Sequence, residues 1–157
     1  MPQTSVLDAP QIAYPGQLAD SGPSDKASRF AEGAGILAGQ PLLRGTDPAK
    51  QVVAITNGAT LSAVTFGGWA VLDNVARYAE DGEIEDLRSL SVLKSGRMFV
   101  KVTAAVVAGN PVYVGTATAQ LGNIDDATGT GLTIVPGARF ETSAAADGYA
   151  VVQQDHI

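Results

Sequence analysis

The chain has 157 residues, of which 45% are hydrophobic and 17% charged, with a formal net charge of −6. Cysteine is absent, which excludes disulfide scaffolds, thiolate metal sites and thiol nucleophiles. The ten Lys and Arg residues are scattered, so the basic stripe that displaces counterions from nucleic acid is missing.

The length suits one domain with a proper core. The charged fraction is low against the ~25% usual in soluble domains, so Ala, Gly, Ser and Thr must cover much of the surface. Such a surface suits burial against a partner. No apolar run reaches the ~20 residues of a membrane helix. The opening residues lack the basic and apolar regions of a secretory signal, so synthesis in the cytoplasm is expected.

Residues 1–33 carry Pro2, Pro10, Pro15 and Pro23 among isolated apolar residues. Proline removes backbone donors and extends the residue before it, so this segment reads as an extended Pro/Gly-rich N-terminal arm. The spacing of Ile12, Tyr14 and Leu18 suits anchors. Residues 34–157 read as a β domain. Ile36 to Leu43, broken by Gly39 and Pro41, predicts a bent strand, closed by a turn over Gly45 to Pro48. Gln51 to Thr56 is a β-branched run, and Asn57-Gly58 is a strong turn signal. Leu61 to Leu72 is the most apolar stretch, and Gly67-Gly68 in its middle predicts a strand with a bulge.

Val75 to Tyr78 suggests a short helical turn ended by Asp81-Gly82. Leu87 to Val102 predicts a hairpin turning at Lys94-Ser95-Gly96, with alternation of period two on its arms. Thr103 to Gly109 suggests one helical turn with a glycine cap. Asn110-Pro111 opens a strand over Val112 to Val114, and Gln120 to Gly131 reads as a polar loop. Leu132 to Val135, Ala138 to Thr142 and Tyr149 to Gln153 are the closing strands. No fixed-period repeat is visible. Short strands with frequent turn signals and no long amphipathic helix predict an all-β sandwich or barrel.

Catalytic chemistry is hard to assemble from these residues. His156 is the sole histidine and sits beside the chain end, where a solvated terminal residue is the simpler expectation. No Gly-x-Ser-x-Gly elbow occurs, and no Ser-His-Asp set forms without that terminus. The acidic cluster Glu80, Asp81, Glu83, Glu85 and Asp86 could converge on Ca²⁺, but its spacing is not that of an EF-hand, and a solvated loop is the plainer reading. Asp125-Asp126 reads as a turn. Gly33-Ala34-Gly35 lacks the Lys-Ser/Thr or the strand–helix context of a phosphate loop. Phe66 and Trp69 could stack a sugar, although their apolar neighbours favour a core role. No cofactor and no metal are expected.

Tyr14-Pro-Gly-Gln-Leu-Ala-Asp20, continuing Ser-Gly-Pro-Ser-Asp25, resembles the N-terminal signature of the structural cement (capsid decoration) proteins of tailed bacteriophages. Gly39 to Gly45, Phe66-Gly-Gly-Trp-Ala-Val-Leu-Asp73, Leu93-Lys-Ser-Gly-Arg-Met-Phe-Val100, Ala108 to Val114 and Pro136 to Ser143 resemble later pieces of that family in order. Trp69 departs from the pattern of its strand. The resemblance spans nearly the whole chain and implies a jelly-roll-like β domain with an extended N-terminal arm. It also implies a place on the exterior of the phage capsid, bound to the major capsid protein. It further implies a homo-oligomer, a dimer before a trimer, bridging neighbouring capsomers. Ile12, Tyr14, Pro15, Leu18, Asp20 and Asp25 are the expected capsid-binding residues. A fibre or baseplate module of the virion, and a carbohydrate-binding β-sandwich using Trp69, are the alternatives; an enzyme comes third.

Overall fold

A computed structural model describes residues 13–19, 22–72 and 82–156. The helical turn expected at Val75 to Tyr78 lies outside them. Nine strands are described: β1 (Asp25–Ala31), β2 (Pro41–Arg44), β3 (Gln51–Ala54), β4 (Phe66–Ala70), β5 (Ser89–Lys101), β6 (Pro111–Gly115), β7 (Ile124–Asp125), β8 (Leu132–Phe140) and β9 (Tyr149–Gln154). Their order is β1-β3-β2-β4-β5-β9-β8-β6-β7, and β1 also pairs with β5. The first five strands therefore close on themselves as β1-β3-β2-β4-β5-β1, which leaves no free edge in that ring. The protein is all-β and barrel-forming, as the turn spacing predicts.

Strand β5 is long because it serves two halves of the molecule. Its first part pairs with β1 and β4, from Ser89 to Ser95. Its second part, Gly96 to Lys101, pairs with β9. The hairpin expected at Lys94-Ser95-Gly96 is absent. Leu90 and Val92 face the smaller apolar cluster and Leu93, Met98 and Val100 the larger, and the β1–β5 register shifts at Lys94, so the strand runs on through a bulge. Gly96 takes a left-handed φ of 130° within the strand, where a Cβ would stand 3.0 Å from Ser24 Cβ. The glycine bends the strand in place of reversing it.

The two halves repeat one another. Ile36 bridges Ile84 as Val106 bridges Ala144. Pro41 pairs with Trp69 as Pro111 pairs with Arg139. Trp69 pairs with Leu93 as Arg139 pairs with Gln153. Backbone N–H of Gly39 and Ala70 bond the carbonyls of Ala70 and Gln40; those of Gly109 and Phe140 bond the carbonyls of Phe140 and Asn110 in the same way. Among the described residues Leu87 and Asp147 are the two non-glycine residues with positive φ, at equivalent turns. The sequence carries the trace in Ile36-Leu-Ala-Gly-Gln-Pro-Leu and Val106-Val-Ala-Gly-Asn-Pro-Val. A fixed period is invisible because the distance between equivalent residues shortens across the second half.

The repeat also corrects three local readings. Thr103 to Gly109 is no helical turn but the same bend, bridge and turn that precede β2. Gln120 to Gly131 contains β7, whose Ile124 carbonyl accepts from Thr103 N at 3.1 Å. The strands expected at Leu132 to Val135 and Ala138 to Thr142 are one strand, β8, running through Pro136 and Gly137. The bulge expected at Gly67-Gly68 is present, since the β2–β4 register shifts between Leu42 and Leu43.

Two apolar clusters fill the halves. Ala31, Ile36, Leu42, Val52, Ala70, Ile84, Leu90 and Val92 form the smaller, inside the first ring. The larger joins Val102, Val106, Val112, Ile124, Phe140 and Val152 to Phe66, Trp69 and Leu93 from the first half. Phe66 and Trp69 meet edge to face, with centroids 6.3 Å apart and planes at 87°, and both are fully buried. Each fully buried side chain of this kind contributes roughly 1.5–3 kcal/mol.

Candidate functional site

Tyr14-Pro15-Gly16-Gln17 forms a tight turn in which Gln17 N donates to Tyr14 O at 3.1 Å. Proline at its second position and glycine with φ of 82° at its third fit a type II turn. Gly16 N donates to Phe99 O at 2.8 Å, Phe99 N to Gln17 O at 2.8 Å, and Ala19 N to Arg97 O at 3.0 Å. Leu18 bridges Met98. This short piece of the expected arm thus lies along β5 of its own domain, and Leu18 packs on the larger cluster. Asp25 to Ala31, also inside the segment expected as arm, is strand β1.

The turn is held by a close approach. Gly39 also has φ of 82°, and a Cβ on it would stand 2.7 Å from Gly16 N and from Pro15 Cβ. Leu72 N donates to Gly16 O at 2.8 Å. The result is an apolar cleft of about 430 Å³ walled by Tyr14, Pro15, Leu37, Ala38, Leu72 and Ile124. Tyr14 is 53% exposed and Leu72 38%.

Of the six residues expected to touch a capsid, Tyr14 and Pro15 stand together at this cleft. Leu18 is turned into its own domain. Asp25 lies apart on β1, 3.6 Å from His156 Nδ1 at an exposed pair. Ile12 and Asp20 lie outside the described residues. Leu37, Leu72 and Ile124 were not expected at the site. Nothing local marks them, since three distant segments meet there only because two glycines let their backbones touch.

The acidic residues have structural work. Gly35 N donates to Glu83 Oε2 at 2.8 Å and Gly33 N to Asp86 Oδ1 at 2.7 Å, fixing the bend before β2. Val107 N and Asn110 Nδ2 both donate to Asp126 Oδ2 at 2.8 Å at the equivalent bend. Asp126 N donates to Asp125 Oδ1 at 2.7 Å, the turn expected there. Glu80 and Asp81 lie outside the described residues. Among the described residues no three acidic or histidine side chains converge as a metal site would need. The backbone N–H and the hydroxyl of Thr46 donate to Glu32, and the hydroxyl bond foremost holds that carboxyl below its ordinary pKa. Sugar stacking on Phe66 or Trp69 is ruled out by their complete burial.

The family model described as "Structural cement protein (E217 gp24/Pam3 gp6)" matches residues 1–155. This chain belongs to that family. The cement protein also superimposes on a chain of a solved structure, "The capsid of Myoviridae Phage XM1". There the TM-score is 0.69 and the identity 20%, with 90% of each chain covered, a likeness of fold. No curated protein matches. The cement protein is therefore a structural component of a phage head.

Proposed function

We propose that the cement protein binds the exterior of a tailed-phage capsid and ties neighbouring major capsid protein capsomers together. The match of a structural cement family over 1–155 carries this reading. Its action needs contact area and geometry, with no catalytic step. The sole histidine supports this: His156 is a 74% exposed residue beside Asp25. The protein is made in the host cytoplasm and acts as a homo-oligomer, a dimer before a trimer.

The contact surface we assign is the turn at Tyr14 and Pro15 with the apolar cleft beside it. A preformed turn loses little conformational entropy on binding. A ligand that binds only the expanded shell stabilises that shell by mass action, and contacts repeated between linked subunits raise one another's effective concentration. Mixing purified protein with undecorated expanded shells, followed by sedimentation and heating, tests this. Co-sedimentation and a higher shell melting temperature are expected. Protein that stays in the supernatant at saturating concentration contradicts the reading.

A further inference from the structure

At one set of equivalent residues the two repeated halves differ in charge. Strand equivalence matches Arg29, Arg44 and Lys94 of the first half with Val100, Val114 and Gln154 of the second. Arg29 pairs with Leu90 as Val100 pairs with Ala150. Val100, Val114 and Gln154 are all fully buried. Their counterparts are three cations that line a cleft of about 330 Å³ with Val52, Pro48 and Gly67. In the second half Gln154 closes this space: it lies over Gly137 and donates to Pro136 O at 2.9 Å. In the first half Arg44 Nε donates instead to Phe66 O at 3.2 Å, and the space stays open.

Strand alternation puts Arg29 on the face of Ala31 and Arg44 on that of Leu42, and Lys94, where the β1–β5 register shifts, lines the same cleft. The cations therefore stand at the mouth of the first ring's apolar core. No carboxylate of the described residues pairs with Arg29, Arg44 or Lys94. Three acidic residues that adjoin these cations in sequence or strand register have other partners: Glu32 accepts from Thr46, Asp47 pairs with Lys50 at 3.4 Å, and Asp25, opposite Ser95, lies 3.6 Å from His156 Nδ1. By contrast Arg88, Arg97 and Arg139 each meet a carboxylate. Three cations that pair with no carboxylate among the described residues thus share one cleft, a local concentration of positive charge on a chain of net charge −6.

We propose that this cleft receives aspartate or glutamate side chains from the capsid subunit beneath it. The inference deepens the cement reading and rests on it. Nucleic acid fits poorly, because an extended polyanion would meet the acidic remainder of the surface. A carboxylate on a short aliphatic stem matches both parts of the cleft: guanidinium and ammonium donors at the mouth, Val52 and Pro48 on the walls. Geometry of this kind sets register and on-rate between partners of opposite charge.

The test uses the full-length protein and undecorated expanded shells. Binding is measured by co-sedimentation over a range of NaCl concentrations for wild type, the double variant Arg29→Gln/Lys94→Gln, and Lys26→Gln. Arg44 is left intact because it also holds the Phe66 carbonyl, and a thermal melt checks that each variant is folded. The double variant is expected to bind about tenfold more weakly or worse, with a shallower salt dependence, while Lys26→Gln, on the opposite face of β1, binds like wild type. Wild type that binds, with a double variant of unchanged affinity and salt dependence, overturns this inference and leaves the cement reading standing. Wild type that fails to bind overturns the cement reading itself. A double variant that binds shells normally but loses self-association assigns the cleft to a second copy and also overturns the inference.

Discussion

The indole Nε1 of Trp69 donates to Oε1 of Gln154 at 2.8 Å, and both side chains are completely buried. This one bond joins β4 of the first ring to the last strand of the second half. Gln154 also donates to the carbonyls of Pro136 and Asp155, so its amide is satisfied on both sides.

Replacing Gln154 by Leu leaves the Trp69 N–H and two carbonyls without their partner inside the protein. An unsatisfied buried group costs about 1–3 kcal/mol. Urea unfolding of Gln154→Leu should show a loss of at least that size, with both halves melting together. An unchanged midpoint would mean that water replaces the amide.

The approach of Gly16 to Gly39 gives a second prediction. Alanine at residue 39 would meet Gly16 N and Pro15 Cβ at 2.7 Å, at a φ that disfavours any side chain. Gly39→Ala should therefore cost more than about 1 kcal/mol and release the turn. Hydrogen exchange reads this locally. The amides of Leu72 and Phe99, which bond Gly16 and Gln17, should lose protection before those of β8 and β9.

Tyr14 is half exposed, and its replacement should separate binding from folding. Tyr14→Ala is expected to change unfolding free energy by no more than about 0.5 kcal/mol while weakening attachment to shells. Equal loss in both measurements would make the ring part of the domain's own packing.

Glu32 gives the pH dependence. Its folded pKa is lowered by the two Thr46 hydrogen bonds, so the unfolded chain binds the proton more readily. The bonds' contribution to stability is then full above the ordinary carboxylate pKa of about 4.3 and is lost as pH falls through the lowered folded value. Glu32→Gln should remove this component, so that the wild-type advantage in melting temperature, small because the site is exposed, shrinks on acidification. A difference that grows on acidification contradicts the assignment.

Much of the fold was readable in the sequence. Asn57-Gly58 and the Gly67-Gly68 bulge depend on local backbone chemistry, and both are where that chemistry puts them. The course of β5 was not readable, because Lys-Ser-Gly is good turn chemistry, whereas here β1, β4 and β9 supply partners that keep the strand going. The repeat is not legible as a period because the spacing of equivalent residues changes along the chain, and the shared pattern is a few small residues around Pro41 and Pro111. At the candidate site, Tyr14 and Pro15 announce themselves through turn chemistry. Leu37, Leu72, Ile124 and the cations at 29, 44 and 94 are each ordinary in sequence; the first three meet around the close approach of Gly16 to Gly39, and the cations meet through strand pairing.

A cryo-electron microscopy map of the intact phage head measures the central proposal most directly. It should show this double β domain outside the shell, across the seam between adjoining capsomers, with Tyr14 against the major capsid protein. Density for the domain confined to the tail or to the inner face of the shell would contradict it.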